Sequence, residues 1–500
     1  MSDKQHMRDY FFKVRRAGVL LHPTSLPGQY GRGDLGHDAY RFVEFLQASG
    51  FSVWQMLPLG PTHEDGSPYQ SVSAHAGNPL LISLDWLADR GWLQLQNIPP
   101  QANSKLFRRA CLQSAFDLFQ QQATADWKSK LARFCVQHAV WLDDFCVFMA
   151  IKHEQQDQPW MLWPDELRLR EKPVLKSVHK RLHRVIERIA FEQFVFFTQW
   201  HELREYARQR DVMLFGDMPI FVAQDSADVW AHRDNFLLNA KGDPLVVAGV
   251  PPDAFSATGQ RWGNPLYDWT HMQADHFRWW LTRFKTQLEL FDVIRIDHFR
   301  GFEACWQIAA NETTAMRGEW VQVPGRDLLN IVRKTFPDLL LVAEDLGVIT
   351  AEVNALRDEF ALPGMKILQF AFGDSADNPY LPHHHTERSV VYTGTHDNDT
   401  TLGWIQSLPY NTRQHVKNYV GCGDIDDNVM LVKLLDMALA SVAQLAILPM
   451  QDILELGSQH RMNTPGTTVD NWRWRFDWQQ LSASKHEWIQ KKLHLYDRAQ

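Results

Sequence analysis

The chain is poor in cysteine. It holds five, Cys111, Cys135, Cys146, Cys305 and Cys422, with no CxxC pair among them. An odd, scattered set suits a reducing cytoplasm better than a disulfide scaffold or a zinc site. Concentrated positive charge is also missing. Lysine and arginine number 51 against 59 aspartates and glutamates, a net charge of -8, and no basic cluster breaks that balance. Nucleic acid and anionic membrane are therefore not expected partners. The most apolar run, "MALASVAQLAIL" (437–448), is too short to span a bilayer and carries Ser441 and Gln444. The opening "MSDKQHMRDYFFKVRRAG" has no apolar core of signal-peptide length, so the expected location is cytoplasmic. No GxGxxG follows an apolar run, and there is no P-loop and no HExxH. "GRGDLG" (31–36) reads as a turn rather than a nucleotide fingerprint. In "LPHHHTER" (381–388) three adjacent histidines do not share one face. Neither a metal nor an organic cofactor is expected.

Aromatic residues are plentiful instead: 20 tryptophans, 29 phenylalanines and 11 tyrosines. Most belong to a core, but such rings also stack on the flat, weakly polar faces of sugars. Short apolar, β-branched runs recur at 17–23, 51–58, 211–221, 291–299, 338–347, 365–372, 389–397 and 443–452, and most end in Gly, Pro, Asp or His. Continuous rather than alternating apolar runs suit strands buried on both faces, hence a parallel sheet. Helical patterns fall between them, as in "HDAYRFVEFLQASG", which stops on Gly50. Eight strand-helix units predict a (β/α)8 TIM barrel over residues 1–500, with no separate C-terminal β-domain. Residues 60–210 read as a mostly helical insertion between the second and third strands, and 222–275 as a loop-rich insertion before the fourth.

The fourth run, "VIRIDHFRG" (293–301), places charges at the end of a buried strand. Residues two apart share a face, so Arg295 and Asp297 point the same way. In a barrel, polar residues at the C-terminal strand ends form the active site. Asp217 falls near the end of the third run, Asp297 and His298 of the fourth, Glu344 and Asp345 of the fifth, and His396 and Asp397 of the seventh. Several carboxylates and one arginine around a barrel mouth suit glycosidic bond cleavage, which needs one acid to protonate the leaving oxygen and a second to attack or to act as base. Arg295 beside Asp297 is expected to keep that aspartate anionic. Metal-assisted chemistry, plain glucan hydrolysis and a non-catalytic sugar-binding barrel are the alternatives on these residues alone.

Longer motifs go further. "LLHPTSLPG", "LPLGPT", "SPYQSVSAHAGNPLLISL", "GDMPIFVAQDSADVWAH", "GVPPDAFSATGQRWGNPLYDW", "VIRIDHFRGF", "AEDLGVIT", "GMKILQFAF", "YTGTHDNDTTLGW" and "RMNTPGTTVDNWRW" resemble the 4-α-glucanotransferases (amylomaltases or disproportionating enzymes) of glycoside hydrolase family 77, over about residues 17–476. The resemblance implies transfer of α-1,4-glucan segments to the 4-hydroxyl of another glucan or of glucose, with retention. It implies Asp297 as nucleophile, Glu344 as general acid/base and Asp397 as transition-state stabiliser. Tyr69, Asp217, Phe255, Gln260, Trp262, Arg295, His298, Asp374, His396 and Asn463 are implied around the glucan. Residues 249–263 resemble a loop that arches over the family's site. The chain departs from many relatives at Ala254, where they carry tyrosine, and at Glu64, where an aromatic can occur.

Overall fold

A computed structural model of the chain describes residues 11, 13–95, 104–252, 256–373, 375–421, 423 and 425–500. Each of the eight apolar runs overlaps a strand of one parallel sheet. They are β1 (Arg16–Leu20), β2 (Val53–Gln55), β3 (Met213–Pro219), β6 (Val293–Asp297), β9 (Leu340–Ala343), β10 (Gly364–Ile367), β11 (Ser389–Tyr392) and β12 (Leu445–Pro449). Of these, β1 and β10 start one residue before their runs. The sheet runs β10-β11-β12-β1-β2-β3-β6-β9, and its neighbours pair in parallel register. Their residues are almost all buried, as strands covered on both faces must be. The helix His37–Ser49 leads from β1 towards β2 and stops where Gly50 takes a left-handed φ of 88°. The architecture is a (β/α)8 barrel.

The barrel closes between β9 and β10, where the ladder is sparse. The Ala343 amide donates to the Pro363 carbonyl at 2.9 Å. Asp345 supplies the next link with its side chain. Its Oδ1 accepts from the Met365 amide at 2.7 Å, and its Oδ2 pairs with Arg357 at 2.5 Å. Residue 364 must be glycine here, because a Cβ would sit 2.2 Å from that same Oδ2. Asp345 is thus a seam residue, one position beyond Glu344. Asp345→Ala leaves the buried Met365 amide without its acceptor and Arg357 with only its exposed partner Asp358, at a cost of about 2 kcal/mol. Scanning calorimetry is expected to show a clearly lower thermal midpoint; an unchanged midpoint would mean that the seam does not depend on this carboxylate.

Between β2 and β3 the described residues include the helices Lys105–Gln122, Ala125–Glu154, Lys172–Arg181 and His183–Arg208. Helix Ala125–Glu154 is long and apolar enough to cross a membrane by length and composition. Trp141, Phe145 and Phe148 on it are buried, and Trp141 meets Phe197 of the helix His183–Arg208 with ring centres 6.0 Å apart. That last helix docks on the barrel through Trp200, whose indole donates to the Leu290 carbonyl at 2.8 Å and packs edge-on to Phe291. Segment 222–275 holds two strands as well as loops, β4 (Val246–Val250) and β5 (Gln260–Pro265). They join β7 (Ala304–Ala309) and β8 (Gly318–Gln322) in an antiparallel sheet of order β5-β4-β7-β8. β4–β5 and β7–β8 are local antiparallel pairs, but the β4–β7 pairing that unites them spans the barrel strand β6.

Candidate active site

The strand register builds the centre of the site. In the β3–β6 pairing Asp217 lies opposite Arg295. One guanidinium nitrogen, Nη1 of Arg295, reaches both oxygens of Asp217 at 2.8 and 2.7 Å and Oδ1 of Asp297 at 2.9 Å. The arginine therefore bridges two carboxylates rather than serving Asp297 alone. Asp217 is the deeper one, with its side chain 1% exposed against 28% for Asp297. Burial pushes the Asp217 carboxyl up, while Arg295 pulls it back towards the ionised form. Nε of Arg295 lies 3.4 Å from the Met365 sulfur, so the seam strand β10 also touches this guanidinium.

The chain turns sharply after Asp297. His298 adopts a left-handed φ of 55°, which costs a non-glycine residue about 1 kcal/mol. The turn aims the His298 amide at Glu344 Oε2, 2.6 Å away, and the Leu346 amide donates to Oε1 at 2.9 Å. Glu344 is buried, and burial raises its carboxyl to about 7; the Asp297 charge adds to the rise, while Arg295 and the two amides oppose it. The imidazole of His298 is pushed down to about 4 by burial. Its Nε2 has no hydrogen-bond partner among the described residues. Two carboxylates near one arginine thus sit in different surroundings, one enclosed and held protonated towards neutral pH, the other open and ion-paired.

The third acid comes from the loop after β11. Asp397 is half-exposed, with Oδ1 accepting from Asn463 Nδ2 at 2.6 Å and lying 3.4 Å from His396 Nε2. His396 is buried and stacks on Tyr69 at 5.1 Å with the planes 15° apart. The Tyr69 hydroxyl donates to Asp217 Oδ2 at 2.6 Å, which ties this aromatic pair back to Arg295. Burial, with Asp217 next, holds that phenol well above its usual range, so it remains a donor. On the other side Trp262 in β5 meets the His298 ring edge-on at 4.8 Å, and its indole donates to Gln260 Oε1 at 3.1 Å.

The residues expected at the site therefore gather: Asp217, Arg295, Asp297, His298 and Glu344 at the centre, Tyr69, His396, Asp397 and Asn463 on one side, Trp262 and Gln260 on the other. Phe255, Asp374 and Ala254 lie outside the described residues. Two further side chains belong to the cluster. Trp472 sits with its ring centre 6.0 Å from both Tyr69 and His396. Arg461 donates to the Asp397 carbonyl at 3.1 Å and to the Asn463 carbonyl at 3.3 Å. Both fall in or beside the motif that contains Asn463, and a basic and an aromatic residue flanking an amide there were the available signal. The three adjacent histidines separate as their spacing demands: His385 turns inward to Ser441 and Tyr380, while His383 and His384 stay exposed.

Three comparisons bear on this geometry. A family model described as 4-alpha-glucanotransferase, glycoside hydrolase family 77, matches residues 21–481. Two bacterial relatives bearing the name 4-alpha-glucanotransferase are similar over most of their length. The one from Synechocystis sp. is 47% identical over 96% of each chain. The one from Thermus thermophilus is 48% identical over 92% of this chain and 94% of its own. Among solved structures, amylomaltase from Streptococcus agalactiae in complex with acarbose superposes with a TM-score of 0.93 at 36% identity, covering 97% of this chain and 100% of that one.

Proposed function

The chain belongs to the 4-alpha-glucanotransferases of glycoside hydrolase family 77, and from that premise we propose which of its residues carry the transfer. The observation that supports the assignment most is the split between its two central carboxylates: Glu344 enclosed and raised to about 7, Asp297 open and 2.9 Å from Arg295. Glycosyl transfer with retention needs such a pair, one acid to protonate and one base to attack.

Asp297 attacks the anomeric carbon of the donor sugar while Glu344 gives its proton to the departing 4-oxygen. A covalent glucosyl-enzyme results, and the shortened glucan leaves. Glu344, now ionised, takes the proton from the 4-hydroxyl of an acceptor glucan or of glucose, and that oxygen displaces Asp297. Two inversions give retention. Asp397 lies beside this path and stabilises positive charge on the sugar ring at the transition state. Asn463 and the Arg461 contacts orient it. Arg295 keeps Asp297 in place, and Asp217 in turn fixes Arg295. The Tyr69–His396 stack supplies a flat face for the donor sugar. The neutral imidazole of His298, with a buried nitrogen lacking a partner, is suited to a sugar hydroxyl. Phe255, Gln260, Trp262 and Asp374 complete the glucan contacts. Water must be kept from the intermediate for transfer to win over hydrolysis, and the loop 249–263 would cover it. No cofactor enters. The substrates in this reading are maltooligosaccharides and amylose within starch, glycogen or maltodextrin metabolism, in the cytoplasm. The acarbose held by the streptococcal amylomaltase, a mimic of such chains, supports the glucan part of it.

Maltotriose alone tests the reaction. Transfer yields glucose and a ladder of longer glucans; appearance of shorter sugars only would mean hydrolysis. The pH profile tests the acid. Glu344 acts first as a proton donor, so it must be protonated in the free enzyme, and a carboxyl raised to about 7 stays protonated up to that pH. The kcat/KM for maltotriose is therefore expected to fall as pH rises through about 7. A plateau continuing well above that value would mean another group donates the proton.

A further inference from the structure

A cavity of about 620 Å³ opens in the helical region after β2 and shares no lining residue with the catalytic cluster. Its volume fits a ligand of a few hundred daltons. One wall is apolar, built from Leu112, Phe145, Met149 and Ile189. The other is crowded with cations from three helices, Lys105 and Arg109, Lys152, and Arg188, in a protein whose net charge is negative. Glu64, Asp157 and Glu192 line the same cavity, so these cations are partly compensated. Lys152 is neutralised by Asp225 at 2.6 Å. Arg109 has a half-exposed pair with Asp157, and Lys105 donates to the His63 carbonyl. Arg188 pairs with Glu192 at 3.0 Å; burial raises that carboxyl, and Arg188 and Arg109 oppose the rise. Nε of Arg188 is buried with no hydrogen-bond partner among the described residues. The field shows in the neighbours. His153 is pushed down to about 4 by burial and then by Arg109, with Arg188 and Lys152 adding to it and Asp157 opposing. Lys105 is lowered by burial and by Arg32 and Arg109, against Glu64.

The same cavity is walled on one side by Pro61, Thr62, His63 and Glu64. Thr62 bridges to Ser71 across a tight loop, and the Val72 amide donates to the Pro61 carbonyl at 3.0 Å. The loop that those two rungs close carries Tyr69, whose hydroxyl donates to Asp217. A ligand pressing on Pro61–Glu64 therefore acts on a loop whose other end is in the active site.

We propose that this cavity binds a small organic phosphate, its anion held by Lys105, Arg109 and Arg188 and its body lying on Phe145 and Ile189, and that occupancy alters catalysis through the loop bearing Tyr69. A sugar phosphate and a nucleoside monophosphate share this chemistry. Arginine and lysine suit phosphate oxygens as donors of charge-assisted hydrogen bonds.

Calorimetric titration of the full chain with glucose 1-phosphate, AMP and inorganic phosphate tests the binding, with maltose as the uncharged comparison. At least one phosphate ester is expected to bind, and the tighter of the two identifies the source. Lys105→Ala/Arg109→Ala, both at exposed positions, should weaken that binding by about tenfold or more, with the thermal midpoint and the maltose heats unchanged. The bound ester should shift kcat/KM for maltotriose in the wild type and not in the double variant. Absence of phosphate binding, equal affinity in the double variant, or loss of maltose binding in that variant would overturn the site. Binding that leaves the kinetics unmoved would overturn the coupling. The calorimetric arm needs no turnover, so an error in the catalytic assignments would leave it readable.

Discussion

Asp297→Asn lowers transfer by about 10⁴-fold or more while leaving the fold intact. The amide has nearly the shape of the carboxylate but cannot attack the anomeric carbon, so both half-reactions stop together. The structural cost is small for two reasons. Arg295 keeps Asp217 as a partner through two contacts at 2.8 and 2.7 Å, so its guanidinium is not left uncompensated. The Asp297 side chain is 28% exposed, so the new amide can still meet water. Glucose release from maltotriose measures the loss, and the thermal midpoint checks the fold. Near-wild-type transfer by the purified variant would remove Asp297 from the role of nucleophile.

Glu344→Gln gives the second large effect, and its signature depends on the leaving group. With maltotriose the loss should reach about 10²- to 10⁴-fold, the range for removing a positioned general acid or base. With a glycosyl fluoride the first step should survive, because fluoride departs without a proton. The second step lacks its base in either case, so the glucosyl-enzyme should accumulate. The descent of kcat/KM near pH 7 should also vanish from whatever activity remains, since the group raised to about 7 has been removed. Glutamine keeps one acceptor oxygen for the amides of His298 and Leu346, which now donate to both carboxylate oxygens. One amide loses its acceptor, and a modest drop in stability is expected with the loss of activity. Equal losses on maltotriose and on the fluoride would mean that Glu344 does not donate the proton.

The barrel was readable because its strands are buried on both faces. Burial on two sides leaves unbroken apolar runs such as those around Ile294 and Ile447, and those runs need no partner to be seen. The small antiparallel sheet was not readable for the converse reason. Its strands are partly exposed and so lack unbroken apolar runs, and β4 finds β7 only after the chain has passed through the barrel. At the site, Arg295 and Asp297 were visible as a same-face pair because a strand has a period of two. The second partner, Asp217, depends on the β3–β6 register across 78 residues of sequence. Arg295 beside Asp297 marked that aspartate as the ionised acid, whereas the role of Glu344 was visible only by resemblance, since its raised carboxyl rests on burial. Arg461 and Trp472 arrive from the far end of the chain after β12, where no apolar run announces a strand end.

Trapping the intermediate tests the central claim most directly. Glu344→Gln incubated with maltotriosyl fluoride should form a covalent adduct, and peptide mass spectrometry of the digested protein should locate the maltotriosyl group on the peptide containing Asp297, at that residue. An adduct on any other side chain, or fluoride release with no covalent species at any time, would contradict the double displacement through Asp297.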